Sequence, residues 1–222
     1  PMVTYHIDGD TRTEVVNEIT KELEEKGITI PKEQEMVTKR AIHTSADFEY
    51  AETMTYSKHA IAVAKQLIKN GADIVTDTNM ALAGISRPSL QALGCQAHCL
   101  MAEESVVQMA KEQGTTRASA AMELARQRWP GAILAVGNAP TALFKIEEQL
   151  RQGLRPALVI AVPVGFVNVV ESKKRIWETC QALQIPAIAA MGRKGGSTVA
   201  VAILNGLLYT AASTLDPSAR GW

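Results

Sequence analysis

The sequence has no excess of either charge and no long hydrophobic run. Lysine and arginine together number 23, and so do aspartate and glutamate, which gives a formal net charge of zero. A neutral chain has no overall field that would attract nucleic acid or an acidic membrane. No apolar run approaches the ~20 residues of a membrane-spanning helix, and no signal peptide is recognisable at the start. We therefore expect no nucleic-acid partner and no membrane association.

Cysteine is scarce as well. The chain has three, an odd number that predicts no disulfide framework and fits a reducing cytoplasm, where we expect the protein. The stretch Cys95-Gln96-Ala97-His98-Cys99 brings metal-ligating residue types close together. Structural zinc usually needs two spaced pairs of ligands, and the sequence offers no second pair. Packing in the core is therefore the preferred interpretation of this stretch, and no metal site is expected.

Motifs of several enzyme classes are missing. The sequence contains no Gly-x-Ser-x-Gly elbow and no cysteine evidently paired with a base, which disfavours a hydrolase. The stretch Gly192–Ser197 has neither the Gly-Lys-Ser/Thr triplet of a phosphate-binding loop nor the glycine spacing of a dinucleotide site. A nucleotide-dependent enzyme is accordingly a weak alternative.

Strand, loop and helix alternate along most of the chain. Apolar residues make up 46% of the sequence and charged residues 21%, as in an ordinary globular protein, and one domain over residues 1–222 is expected. The alternation predicts an α/β fold with a mainly parallel, doubly wound sheet, helices on both faces and an N-terminal helical segment at 11–56. Strands are predicted at 72–76, 95–101, 131–136, 156–162 and 186–191; helices at 11–26, from 31 onward, and at 57–70, 103–112, 116–129, 141–152, 170–183 and 198–211; and a loosely ordered tail at 213–222.

Polar residues are concentrated in the loops that follow the predicted strands. Ligands of parallel sheets bind beyond the carboxyl ends of the strands. Glycine and proline there are explained by turns, but Arg193 and Lys194 are not, so their loop is either a carboxylate-binding loop or a plain tight turn. Asn138 either caps a helix or binds a ligand. Arg117 opens a helix, where a cation opposes the helix dipole, and this weakly indicates a role beyond stability. The four loops are 77–84, 137–141, 163–168 and 192–197.

The segment from Arg40 to Tyr50 gathers ionisable side chains between two helical patterns. Histidine is the side chain that ordinarily titrates near neutrality, so His43 is a candidate for proton transfer. Arg40 shares a helix face with it, which would set a positive charge beside the imidazole, as an anionic substrate requires. A lone helical histidine is more often structural, and both roles stay open at this point. Asp47 and Glu49 are either a carboxylate pair or residues that only orient their neighbours.

Six short motifs occur in one order along the chain. They are Arg40-x-x-His43-Thr44, Thr76-Asp77-Thr78-Asn79-Met80, Gly114-Thr115-Thr116-Arg117, Gly137-Asn138-Ala139-Pro140-Thr141-Ala142-Leu143-Phe144, Pro163-Val164-Gly165-Phe166-Val167 with Glu171-Ser172-Lys173, and Gly192-Arg193-Lys194-Gly195-Gly196-Ser197. Each motif alone is weak, but the ordered set, from about residue 36 to residue 208, resembles the precorrin-8X methylmutase family of cobalamin biosynthesis.

The resemblance implies an isomerase that moves a methyl group from C-11 to C-12 of a corrin precursor, giving cobyrinate or hydrogenobyrinate without a redox cofactor. His43 matches the family's acid–base residue, which is expected to protonate the ring system as the methyl migrates. The form of the Thr76–Met80 motif resembles the cobalt-first branch. Any cobalt would then belong to the substrate, cobalt-precorrin-8, and no cofactor of the protein is expected. The family also implies a homodimer with its active site near the subunit interface.

The resemblance further implies which residues bind a substrate rich in acetate and propionate groups. Arg40, Arg117, Arg193 and Lys194 would supply the cations, together with helix N-termini. Asn17 stands near the position of a family serine on the first helix and is taken as its replacement. That departure supports the alternative of a tetrapyrrole carrier that performs no chemistry. The other predicted substrate-binding residues are Thr76, Asp77, Asn79, Met80, Asn138, Gly195, Gly196 and Ser197.

Overall fold

The computed structural model describes residues 11–212, so the predicted tail at 213–222 lies outside the described residues. From the first strand onward, each strand is followed by one or two helices, as expected. The helices are α1 (Thr11–Glu25), α2 (Glu35–Ser45), α3 (Tyr50–Thr53), α4 (Ala60–Lys69), α5 (Asn79–Gly84), α6 (Arg87–Leu93), α7 (Glu104–Gln113), α8 (Arg117–Arg128), α9 (Pro140–Arg151), α10 (Val169–Leu183) and α11 (Ser197–Ala212). The strands are β1 (Met54–Tyr56), β2 (Asp73–Thr76), β3 (Gln96–His98), β4 (Ile133–Val136), β5 (Leu158–Ala161) and β6 (Ala187–Ala190).

The strands form one sheet in the order β1-β6-β5-β4-β2-β3. Neighbouring strands from β6 to β3 are parallel, and only the β1–β6 pair is antiparallel, with Thr55 opposite Ala189. The prediction of a mainly parallel α/β sheet is thus confirmed. Because β2, β4, β5 and β6 are parallel neighbours, the loops that follow them meet at the same edge of the sheet. We call this the carboxyl edge.

Helices cover both faces of the sheet, as predicted. Along β4, Ile133 and Ala135 belong to one hydrophobic core, and Leu134 and Val136 belong to the other. This alternation follows from the two-residue period of a strand, and a strand buried on both faces needs apolar residues throughout. The first core includes side chains of α1, α2, α4, α6 and α11. The second includes side chains of α7, α8, α9 and α10.

The structure corrects several predicted boundaries. The edge strand β1 was not predicted, since three residues are too few for a hydrophobic period and its partner lies more than 130 residues later in the chain. Ser57 does not begin a helix but prolongs the β1–β6 pairing, as its backbone N–H donates to the Ala187 carbonyl at 2.9 Å. The helix expected from Pro31 begins at Glu35, and the strand expected at 95–101 is shortened to β3.

Helix α11 is the most apolar helix of the first core because it is enclosed by its neighbours. It packs against α2, α4, α5 and α6, and a helix surrounded in this way must be apolar around most of its circumference. Even so, no helix within residues 11–212 is long and apolar enough to cross a membrane.

Candidate active site

Helix α2 lies along α11 and runs toward the carboxyl edge of the sheet. Near its start it packs at Gly206, where an added Cβ would lie only 3.3 Å from the Val37 Cα. Just beyond its end, Asp47 contacts Lys194 in the loop that follows β6. Since α11 begins directly after that loop, the two helices are antiparallel. His43, in the last turn of α2, is therefore held near the carboxyl edge.

The His43 side chain is exposed and lines a groove of about 680 Å³ between α1 and α2. This accessibility is what a proton-transfer residue needs and what a buried structural histidine lacks. Three carboxylates of α1 form one side of the groove and disfavour an anion close to them. These are Glu14, Glu18 and Glu22. Because they are four residues apart, the sequence could have predicted that they lie on one face of the helix. The groove is lined by Glu14, Val15, Glu18, Ile19, Glu22, Ile42, His43, Ala46 and Phe48.

At the carboxyl edge, the buried side chain of Asp77 organises the loop that follows β4. Its two carboxylate oxygens accept hydrogen bonds from the backbone N–H groups of Gly137, Asn138 and Ala139 at 2.7–2.8 Å. Burial raises the pKa of Asp77, and the three N–H donors offset part of that rise. Asp77 therefore positions a loop of the site, and these contacts occupy its carboxylate.

The loops after β2, β4 and β6 touch one another closely. Thr78 and Ser197 share a hydrogen bond of 2.8 Å between their hydroxyl oxygens. A Cβ added to Gly137 would lie 2.8 Å from the Ser197 Cα, and one added to Gly195 would lie 2.1 Å from the Val162 carbonyl oxygen. Gly195 and Gly137 are thus needed for the close approach of backbone to backbone.

Replacing Gly195 with alanine is expected to destabilise the fold by about 1–3 kcal/mol or more, because the Val162 backbone cannot move aside cheaply. Gly131→Ala is the matched control, since a Cβ there would meet nothing within 4 Å, and its effect should stay within about 0.5 kcal/mol. Urea unfolding of both variants measures the difference. Equal stability of the two would contradict this account of the Gly195 contact.

The loop after β6 carries two exposed cations that make different contacts. Lys194 Nζ lies 2.5 Å from both Asp47 Oδ2 and Glu49 Oε2. These hydrogen bonds raise the pKa of Lys194 and lower that of Asp47. Arg193 instead lies over the exposed ring of Phe166, 5.5 Å from its centroid. Asp47 and Glu49 therefore orient a neighbouring cation rather than acting as a separate carboxylate pair.

Several large apolar side chains are exposed at the carboxyl edge. Phe166 is 84% exposed and Met80 is 67% exposed, and Val164 and Val167 are exposed as well. Of these, only Met80 was predicted as a site residue. Val164, Phe166 and Val167 could have been found from the sequence. They are large apolar residues in a predicted loop, where no strand or helix would bury them.

Arg117 is the first residue of α8, and Asn138 lies in the loop between β4 and α9. Both helices cover the face of the sheet opposite α2 and α11. Both side chains are exposed. The Thr116 hydroxyl, which caps α8, donates to the Thr141 hydroxyl at 2.9 Å and so links the start of α8 to the start of α9. Arg117 thus stands beside the β4–α9 loop that carries Asn138. Asn79 and Met80, at the start of α5, are exposed at the same edge.

Besides the buried Asp77, the predicted substrate-binding residues Arg40, Thr76 and Asn17 are not brought to this edge as exposed groups. Arg40 lies against α11, with its guanidinium 4.7 Å from the centre of the Tyr209 ring, and burial lowers its pKa. Thr76 is fully buried and its hydroxyl donates to the Thr78 carbonyl. Asn17 is exposed on α1 but does not line the groove beside His43.

The stretch Cys95–Cys99 packs as a strand edge. The Cys95 thiol donates to the Ile68 carbonyl. His98 shares a 2.9 Å hydrogen bond with Asp73 and stacks on Trp129, with ring centroids 3.8 Å apart. In the described part of the chain, no group of three or more histidine, cysteine, aspartate or glutamate side chains is arranged to hold a metal ion.

Comparison with known proteins agrees with the motifs. The family model for precorrin-8X methylmutase matches residues 12–210. A cobalt-precorrin-8 methylmutase of Leptospira interrogans is 43% identical, over 78% of this chain and 80% of its own length. One of Salmonella typhimurium is 40% identical, over 79% of this chain and 80% of its own. A crystal structure of the precorrin-8X methyl mutase from Thermus thermophilus superposes with a TM-score of 0.83 at 36% identity, and the match covers 93% of this chain and 99% of that one. The chain therefore belongs to the precorrin-8X methylmutase family.

Proposed function

We propose that this protein is an isomerase that moves a methyl group from C-11 to C-12 of cobalt-precorrin-8 and forms cobyrinate. The observation that carries the proposal is the exposure of His43 at the end of α2, near the carboxyl edge of the sheet, where the exposed cations and apolar side chains lie. Membership of the family supports the reaction class. The relatives named cobalt-precorrin-8 methylmutase, at up to 43% identity, support the cobalt form over the metal-free one.

The chemistry asks little of the protein beyond geometry and one proton. A methyl shift within one molecule needs no nucleophile from the enzyme, but it needs a held conformation and a well-placed acid–base group. His43 donates a proton to the ring system as the methyl migrates, and a proton lost by the macrocycle restores the imidazolium. The product is then an isomer of the substrate, and the cobalt stays with it. No cofactor of the protein enters this scheme.

The carboxyl edge suits an amphipathic anion. The flat macrocycle would rest on the exposed apolar side chains of Met80, Phe166 and Val167, since burying them removes apolar surface from water. Its acetate and propionate groups would bind Arg117 and Arg193, whose planar guanidinium groups pair well with carboxylates. In this arrangement Asp77, Lys194 and the glycines at 195 and 196 act by holding the loops, while Asn79, Asn138 and Ser197 offer polar contacts.

Two further parts of the proposal rest on the family resemblance and the composition. A homodimer with the site near the subunit interface is carried over from the family. A cytoplasmic location fits the cysteines, because all three are free thiols and a reducing compartment keeps thiols in that form.

The test is turnover of cobalt-precorrin-8 by the purified protein. The expected result is a product of unchanged mass with a shifted absorbance spectrum, formed in excess over the protein, and with the methyl group at C-12 by nuclear magnetic resonance. Metal-free precorrin-8X serves as the comparison substrate. Tight binding with release of unchanged ligand would instead show a tetrapyrrole carrier and would refute the proposed activity.

A further inference from the structure

Lys173 is a buried lysine that contacts the loop between β6 and α11, which carries Arg193 and Lys194. It lies on α10 with no exposed surface, and its ammonium donates to the carbonyl oxygens of Gly192 at 2.9 Å and Lys194 at 2.8 Å. Burial lowers the pKa of Lys173 to about 8. A charged group is costly to bury, so this lysine calls for an explanation beyond core packing.

The bonds from Lys173 fix the direction in which the loop faces. Between its two acceptors, the Arg193 carbonyl accepts a hydrogen bond from the Gly165 N–H at 3.1 Å. Three consecutive carbonyls, at residues 192–194, are thus turned inward toward α10 and the loop after β5. With its carbonyls turned inward, the loop presents the Arg193 and Lys194 side chains outward, where both are exposed.

We propose that Lys173 is a positioning residue of the active site, one that sets the β6–α11 loop so that Arg193 faces the carboxylates of the substrate. This inference rests on the proposed function. The loop also reaches the end of α2 through the Lys194 contacts with Asp47 and Glu49. Exposed ion pairs of that kind contribute little, so the effect on substrate binding should exceed the effect on the proton-transfer step at His43.

A purely structural role makes a different prediction. Methionine has nearly the length of lysine and fills the same space without a buried charge, but it leaves the carbonyl oxygens of Gly192 and Lys194 without their donor. If Lys173 only filled space, Lys173→Met would keep both stability and kinetics. If it positions the loop, the variant should stay folded and bind substrate poorly.

The experiment compares Lys173→Met with Lys174→Met, which removes an exposed lysine one residue further along the same helix. In K173M the KM is expected to rise at least tenfold, with kcat changed by much less and with the protein still folded but melting at a lower temperature. Hydrogen exchange at the Gly165 and Gly196 amides, both bonded at the loop, is expected to quicken, whereas K174M should behave like the wild type.

Wild-type KM or wild-type exchange at these two amides, in a folded K173M, would overturn the inference. Lys173→Gln keeps two N–H donors on a shorter stem, and its KM should fall between those of wild type and K173M. Should K173M not fold, K173Q decides: loss of both protection and affinity supports the inference, and wild-type affinity despite lost protection refutes it. If the wild type converts no substrate, the proposed function fails, and the exchange comparison alone decides whether Lys173 holds the loop.

Discussion

Replacing His43 with alanine or asparagine is expected to lower kcat by about 10²–10⁴-fold, which is the usual contribution of a positioned acid–base group. The side chain is exposed at the end of α2, so its removal leaves no cavity and the fold should persist. KM should change little, because the interaction removed is one made in the transition state. Turnover at saturating cobalt-precorrin-8, followed by absorbance, measures the effect.

The matched control for this experiment is His59→Asn. His59 is also exposed, and it precedes α4 with φ of 62°. Asparagine tolerates this left-handed conformation better than most residues. The control should keep kcat close to the wild-type value. A folded His43→Ala protein with near-normal turnover would remove His43 from the mechanism, while leaving the family assignment intact.

Removal of the Asp77 carboxylate is expected to have the largest effect on stability. In Asp77→Ala the backbone N–H groups of Gly137, Asn138 and Ala139 lose their acceptor together. A buried donor left unsatisfied costs roughly 1–3 kcal/mol. Since Asn138 is exposed and water can reach part of the loop, we expect a total loss of about 3–5 kcal/mol. Equilibrium urea unfolding gives this number.

Two further variants test whether the loss of stability comes from the hydrogen bonds of Asp77. Asp77→Asn keeps the shape but turns an N–H₂ group toward N–H donors, so it should also lose stability, although less than alanine. Asp73→Asn alters a carboxylate on the same strand that is partly exposed and bonded to His98. Its loss should be at most about 1 kcal/mol. Comparable losses for Asp73→Asn and Asp77→Ala would contradict the role assigned to the Asp77 hydrogen bonds.

The sheet itself could be predicted because its signal is local. Continuous apolar runs such as 131–136 predict strands that are buried on both faces, and β4, β5 and β6 lie inside the predicted ranges. The helices between them follow from amphipathic periodicity. Strand β1 could not be predicted in this way, since its place beside β6 depends on a pairing between distant parts of the chain.

The candidate site was predictable in its residue types but not in their contacts. The motifs located His43, Arg117 and Arg193, and all three are exposed. Nothing in the spacing of the sequence indicated that Lys194 would pair with Asp47, 147 residues away. Nor did the sequence indicate that Lys173, in the Glu171-Ser172-Lys173 motif, would bond to the loop at 192–194.

The sequence by itself determined the fold class, the order of the elements other than strand β1, the loops that reach the carboxyl edge and the family, because hydrophobic period and short motifs are properties of neighbouring residues. Only the tertiary structure decided what each charged side chain does. It placed Arg40 against Tyr209, turned Asp77 toward a neighbouring loop, and left Phe166 in solvent. The physical reason is that the burial and pairing of a charge depend on groups that lie far apart along the sequence and meet only when the chain folds.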